Sequence, residues 1–273
     1  GNERIEESSE VSSRLRGWLR ELAEVLEETV VTGIDDSFIW GDKGDIFRES
    51  PEPHCAWYCP IHFFGSSWGI YIREECILNS ALEIARFVNL GANHTSLNDV
   101  AMQLLRASFY SFFLHEQFHH KIESLGFRLL VATGRDCYRP YKKNVYRKSF
   151  LTPACVEETL ANADSFRRLA EPRIRGRLSK EVWEGLRAFS YSSMLMQPPG
   201  YREGVDFLSD GEFKKALFRL QSQVLEGMPG FRMNPEAWGI APGMIRSFAN
   251  ITESIYVIVP KGASPIFSPS KID

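Results

Sequence analysis

Over residues 97–130 the chain carries no Pro and a single Gly, Gly126, while Leu104, Leu105, Phe109, Phe112, Phe113, Leu114, Phe118 and Ile122 place apolar side chains on more than one helical face. This pattern predicts one long helix, buried on most sides. Ser96 or Asn98 is placed to cap its start, and Asp99 stands in the first turn, where a negative charge favours the helix dipole. Leu15, Leu19, Leu22 and Leu26 predict an amphipathic helix over 12–28, followed by a strand at 29–34 and a polar connection over 35–53 with a short strand at 38–40. The apolar, aromatic run 55–64 reads as a strand broken at Pro60. Gly65, Ser66 and Ser67 then turn the chain into a return strand at 68–72. A helix is expected over 73–88. Thr152 as N-cap with Pro153 at the first helical position starts another, which runs through Asp164. Two more helices, 181–196 and 211–226, flank the turn-rich stretch 197–202, read as a lid or wall of a pocket, and a short buried strand is expected at 255–259.

Inside the longest helix stands His115-Glu116-Gln117-Phe118-His119, an H-E-x-x-H motif. Residues four apart share a helical face, so both imidazoles can meet one metal ion while Glu116 stands beside it, able to take a proton from a metal-bound water. Composition alone would produce this pattern only about 0.01 times in such a chain. Two histidines and a glutamate on a mostly buried helix otherwise leave polar groups unpaired, at a cost of about 1–3 kcal/mol each. A catalytic zinc site needs a third protein ligand and an open position for water. Glu123 lies two turns beyond His115, roughly 12 Å along the axis, too far to share the ion, and is read as a supporting or surface charge. Metzincin spacing is absent, because Ile122 and Leu125 occupy its Gly and last His positions.

The helix beginning near Cys155 carries Glu157, Glu158, Ala161, Asn162 and Asp164. Together with the H-E-x-x-H helix it resembles a gluzincin-type zinc metallopeptidase, over roughly residues 68–165. The resemblance implies a zincin-like α+β fold, with a small mixed sheet, a pair of active-site helices and an additional mainly helical C-terminal part. It implies Zn2+ held by His115, His119 and Glu158, with Glu116 as general base in the cleavage of a peptide or protein substrate. Glu157 and then Asp164 are the alternative third ligands. It further implies that Asn162, one turn after Glu158, hydrogen-bonds a ligating histidine; Asn stands here where the family usually has Asp. On the same likeness, Tyr138, Tyr141 or Tyr146 could stabilise an oxyanion, and the strand 68–72 could offer a free edge to an extended peptide.

Other chemistries receive less support. Glu116 and His119 also form an E-x-x-H of the di-iron bundle type, but no second copy exists. His54, Cys55, Cys59 and His62 fall within nine residues of one another, yet their spacing fits no standard zinc finger. His120 has no evident role beside the metal face. The stretch 134–149 is a basic, Tyr-rich loop, read either as solvated surface or as a border of the cleft. A 273-residue chain that is 44% hydrophobic can bury a sizeable core, read as a catalytic core at 1–165 and a helical subdomain at 166–273, or as one domain. Net charge of −3 gives no general pull toward nucleic acid or anionic membrane, and neither a secretion signal nor a membrane span is evident. Five cysteines, an odd count, suggest reduced thiols and a cytoplasmic protein. A non-catalytic binding protein on the same scaffold is the alternative function.

Overall fold

The computed structural model describes residues 55–64, 68–90, 96–227 and 256–259. The helix expected at 12–28 and the strands at 29–34 and 38–40 lie outside them.

Strand β1 (Ala56–Cys59) pairs antiparallel with β2 (Gly69–Arg73), Ala56 facing Ile72 and Cys59 facing Gly69, and β2 pairs in parallel with β3 (Tyr256–Val259). The result is a small mixed sheet in a mainly helical, broadly α+β molecule. Side chains alternate across the sheet as the two-residue strand period requires. Ile70 and Ile72 pack toward Phe109, Phe112 and Phe113, while Tyr71 turns to Cys59 and Phe64 on the other face. Two expectations are corrected here. The strand read over 55–64 does break at Pro60, but the part after the break is no strand: the Pro60 carbonyl accepts from the amides of Phe63 and Phe64 and starts a helical turn, Ile61–Phe64. The strand expected to offer a free edge is instead the central one, hydrogen-bonded on both sides.

Helix α1 (Glu74–Ala85) follows β2 directly and buries Cys76, Ala81, Ile84 and Ala85. A disulfide joins Cys76 to Cys55, tying α1 to the residue before β1. The expectation of five reduced thiols is therefore corrected: Cys59, Cys137 and Cys155 are free and buried, and the other two are paired. Helix α2 (Leu97–Thr133) is continuous over 37 residues. Ser96 caps it by accepting from the Asp99 amide, and Gly134, at φ 68°, closes it. Its one glycine, Gly126, sits where Tyr138 presses against the helix; a Cβ there would lie 2.7 Å from the Tyr138 Cβ.

Beyond α2 the expected basic loop is helical instead. Tyr138–Tyr141, the π-helical turn Lys142–Tyr146 and Arg147–Ser149 run on from one another, anchored by the Arg139 guanidinium on the His62 carbonyl. Helices α3 (Val156–Arg168), α4 (Lys180–Met196) and α5 (Asp210–Glu226) follow, the last two capped by Ser179 and Ser209, with short helical segments Pro172–Arg175 and Arg202–Phe207 between them; α3 starts after Cys155 rather than at the expected Thr152-Pro153.

Two apolar clusters form along α2. Near its start, Val100, Leu104 and Ala107 pack with Ile84 of α1 and Val182 and Leu186 of α4. In its second half, Phe118, Ile122 and Leu125 pack with Leu160 of α3 and Leu220 and Val224 of α5. The H-E-x-x-H segment falls where the first cluster gives way to the second. Among the described residues, no helix is long and apolar enough to cross a membrane.

Candidate metal centre

One helical turn apart on α2, His115 and His119 bring their Nε2 atoms to 3.3 Å of each other. From α3, Glu158 places Oε2 3.1 Å from His115 Nε2 and 3.4 Å from His119 Nε2. In a tetrahedral site with ligand bonds of about 2.0–2.1 Å, neighbouring ligand atoms stand roughly 3.3 Å apart. The triangle thus has the dimensions that a single four-coordinate ion requires. Among the described residues it is the one group of three or more His, Cys, Asp or Glu side chains with such spacing.

The outer nitrogens fix which atoms face the centre. His115 Nδ1 donates to Asn162 Oδ1 at 2.8 Å, and His119 Nδ1 donates to Glu157 Oε1 at 2.7 Å. With a proton on each Nδ1, the two Nε2 atoms are what faces the Glu158 oxygen, and the space among the three atoms favours positive charge, whether a second proton on His119 or a cation. Burial alone would depress the His119 pKa, but Glu158, helped by the hydrogen bond that His119 donates to Glu157, raises it to about 10. Burial likewise opposes ionisation of Glu158, and His119 and His115 overcome it, holding that carboxyl well below its usual range. The field that retains a proton on His119 also favours a divalent cation.

Glu157, one of the alternative third ligands, points away from the centre and serves it indirectly. Its carboxylate accepts from His119, from the Tyr141 hydroxyl at 2.7 Å and from Lys142 Nζ at 3.2 Å, all in buried surroundings. Tyr146 donates to Glu158 Oε1, the oxygen turned away from the histidines, and Lys142 lies 3.2 Å above the Tyr146 ring. Of the two readings of 134–149, solvated surface or a border of the cleft, neither describes Tyr141, Lys142 and Tyr146, which back Glu157 and Glu158 from behind. Of the three tyrosines considered for an oxyanion, Tyr141 and Tyr146 are turned to Glu157 and Glu158, and the buried Tyr138 hydroxyl has no hydrogen-bond partner among the described residues.

The remaining acids go elsewhere. Asp164 pairs with Lys121 at 2.8 Å. Glu123 is buried, accepting from the Tyr58 hydroxyl, the Ile61 and His62 amides and His62 Nδ1, while His120 meets Tyr58 at 2.7 Å. These contacts sew β1 and the turn after it onto α2. Among the described residues, Cys55 is joined to Cys76, Cys59 packs with Phe64 and Tyr71, and His62 bonds Glu123, so these three do not converge on one point; His54 lies outside the described residues.

Glu116 is 7% exposed and lines, with His115, a cleft of about 600 Å³. Its walls come from Ser111 and Phe112 of α2, Asn162, Ser165 and Phe166 of α3, Phe189, Ser190 and Ser193 of α4, and Phe150, Pro198 and Tyr201 from the connections. The stretch 197–202 thus forms part of the wall. Tyr201 is the residue that sequence reasoning missed. Its ring stacks on His115, centroids 6.0 Å apart and planes 15° from parallel. Burial, then the Glu158 and Glu116 carboxylates and a hydrogen bond to Glu158, push its phenol pKa far up, so its hydroxyl keeps its proton. The Pro-Pro-Gly before it announced a turn, but no sequence signal tied that turn to the histidines.

Compared with protein-family models, curated proteins and solved structures, the chain matches none.

Proposed function

We propose that the protein is a zinc-dependent hydrolase, a metallopeptidase that cleaves peptide bonds with Glu116 as general base. The observation that carries this reading is the convergence of His115 Nε2, His119 Nε2 and Glu158 Oε2 in a triangle 3.1–3.4 Å on a side, at a cleft that Glu116 also lines. A bound Zn2+ would acidify water and polarise the scissile carbonyl. Glu116 accepts the proton of the attacking water and returns it to the departing amine. Tyr201, kept protonated beside two carboxylates, would turn its hydroxyl from Glu158 to the carbonyl oxygen as charge builds there. Asn162 and Glu157 hold the two imidazoles in the tautomer that ligation needs.

The cleft suits a polypeptide. Phe112, Phe150, Phe166 and Phe189 provide apolar wall, and Ser111, Ser165, Ser190 and Ser193 provide hydroxyls able to bond a main chain. The test is digestion of a peptide library, with chelated protein and zinc-restored protein run in parallel. Cleavage lost on chelation and regained with zinc is expected. A protein that takes up no zinc, or cleavage indifferent to chelation, overturns the reading.

A further inference from the structure

Asn162 does more than orient a histidine. Its Oδ1 accepts from His115 Nδ1 at 2.8 Å, while its Nδ2 donates to the Gln197 side chain and to the Tyr201 carbonyl, the latter at 3.0 Å. A main-chain carbonyl can only accept, so the NH2 must face Tyr201 and the oxygen must face His115; the amide has no choice of orientation. The stretch 197–201 has a second anchor one turn earlier on α3, where Thr159 Oγ1 donates to the Gly200 carbonyl at 2.6 Å. Gly200 adopts φ +94°, and a Cβ there would come within 2.9 Å of the Thr152 carbonyl, so this loop passes close over the start of α3. The helix that delivers Glu158 to the centre therefore also carries the wall bearing Tyr201.

We propose that Asn162 is a positioning residue with two separable effects: its oxygen sets His115 for metal binding, and its NH2 holds the 197–201 wall so that Tyr201 faces the cleft. The inference rests on the metal-site reading for the first effect only. It gives a chemical reason for an amide here. A carboxylate would serve His115 equally well or better, being the more basic acceptor. It could not donate to Tyr201, and it would set negative charge against that carbonyl and the Gln197 oxygen. The same logic separates the two effects by substitution.

The experiment compares wild type, Asn162→Asp, Asn162→Ala and Gln197→Met by cobalt and zinc titration and by hydrogen exchange of the Gly200, Tyr201, Arg202 and Gly204 amides, each hydrogen-bonded within the loop. Asn162→Asp is expected to bind metal within about threefold of wild type while exchange of these amides speeds about tenfold. Asn162→Ala should lose on both measures. Gln197→Met, which leaves His115 untouched, should loosen the wall and leave metal affinity unchanged. In a turnover assay, Asn162→Asp should lose kcat more than it changes KM. An Asn162→Asp protein that loses metal as severely as Asn162→Ala, or one whose wall exchanges like wild type, overturns the proposal. Wild type that binds no metal would instead sink the metallopeptidase reading, and the exchange data would still decide whether the amide holds the wall.

Discussion

Glu157 accepts the Nδ1 proton of His119 at 2.7 Å, while its neighbour Glu158 stands 3.4 Å from the Nε2 of the same ring. Two successive carboxylates on one helix thus hold one imidazole by both nitrogens, the first fixing the proton on Nδ1 and the second facing the Nε2 that the proposed ion would meet. Glu157→Gln tests this division, because it keeps the acceptor for His119 but removes the charge opposite the buried Lys142. Leaving that ammonium unpaired costs on the order of 3–5 kcal/mol. We expect a clear drop in Tm and zinc affinity weakened about 10–100-fold. A variant as stable and as zinc-avid as wild type would contradict the assignment.

Zinc uptake is expected to expel a proton. Because His119 is raised to about 10, above an ordinary value near 6.5, the metal-free protein retains a proton there at pH 7. That proton contributes stability that is complete below about pH 6.5 and disappears as pH rises toward 10. Isothermal calorimetry in buffers of different ionisation enthalpy should therefore show release of about one proton per zinc at pH 7. The metal-free protein should lose Tm between pH 7 and 10, and zinc should suppress that loss. Zinc binding with no proton release would count against the arrangement of tautomers described above.

Replacing Glu116 by Gln should leave zinc content unchanged and reduce turnover about 10²–10⁴-fold, since the side chain lines the cleft without belonging to the donor triangle. Parallel measurement of metal content and peptide cleavage checks both halves. Undiminished cleavage would remove Glu116 from the mechanism.

Breaking the Cys55–Cys76 disulfide, by Cys55→Ser together with Cys76→Ser, frees a segment with a sequence separation of 21. The loss in stability should be about 3 kcal/mol on chain-entropy grounds. Chemical denaturation of the oxidised protein and the double variant reads this directly. Equal stability would mean that the crosslink contributes nothing beyond the packing of α1.

The long helix, its Ser96 cap and the i, i+4 histidines were legible in the sequence because each rests on local spacing. Glu158 and Asn162 were reachable only through a family likeness, since nothing local brings α3 to α2. What escaped was decided by partners distant along the chain. Tyr201 reaches His115 because Asn162 and Thr159 hold its loop, and Tyr138 to Ser149 is helical because Tyr141, Lys142 and Tyr146 find buried carboxylates on α3. The cysteine count misled for a related reason: parity says nothing about which two thiols the β1–β2 pairing and α1 bring together.

Helix α2 extends over about 55 Å at 1.5 Å per residue, and each of its halves is embedded in its own apolar cluster. The distance between the two imidazoles is accordingly set by helical pitch, the least adjustable length in the molecule. Only the Glu158 oxygen arrives from another element, so the opening of the donor triangle is governed by how far α3 stands from α2. That gap is filled by packed side chains such as Phe118 and Leu160, and by the Lys121–Asp164 pair bridging the two helices. On the proposed metal reading, the choice of cation would be decided partly by residues that never touch one: a change of a methylene or two between the helices would act as a gauge of ionic radius.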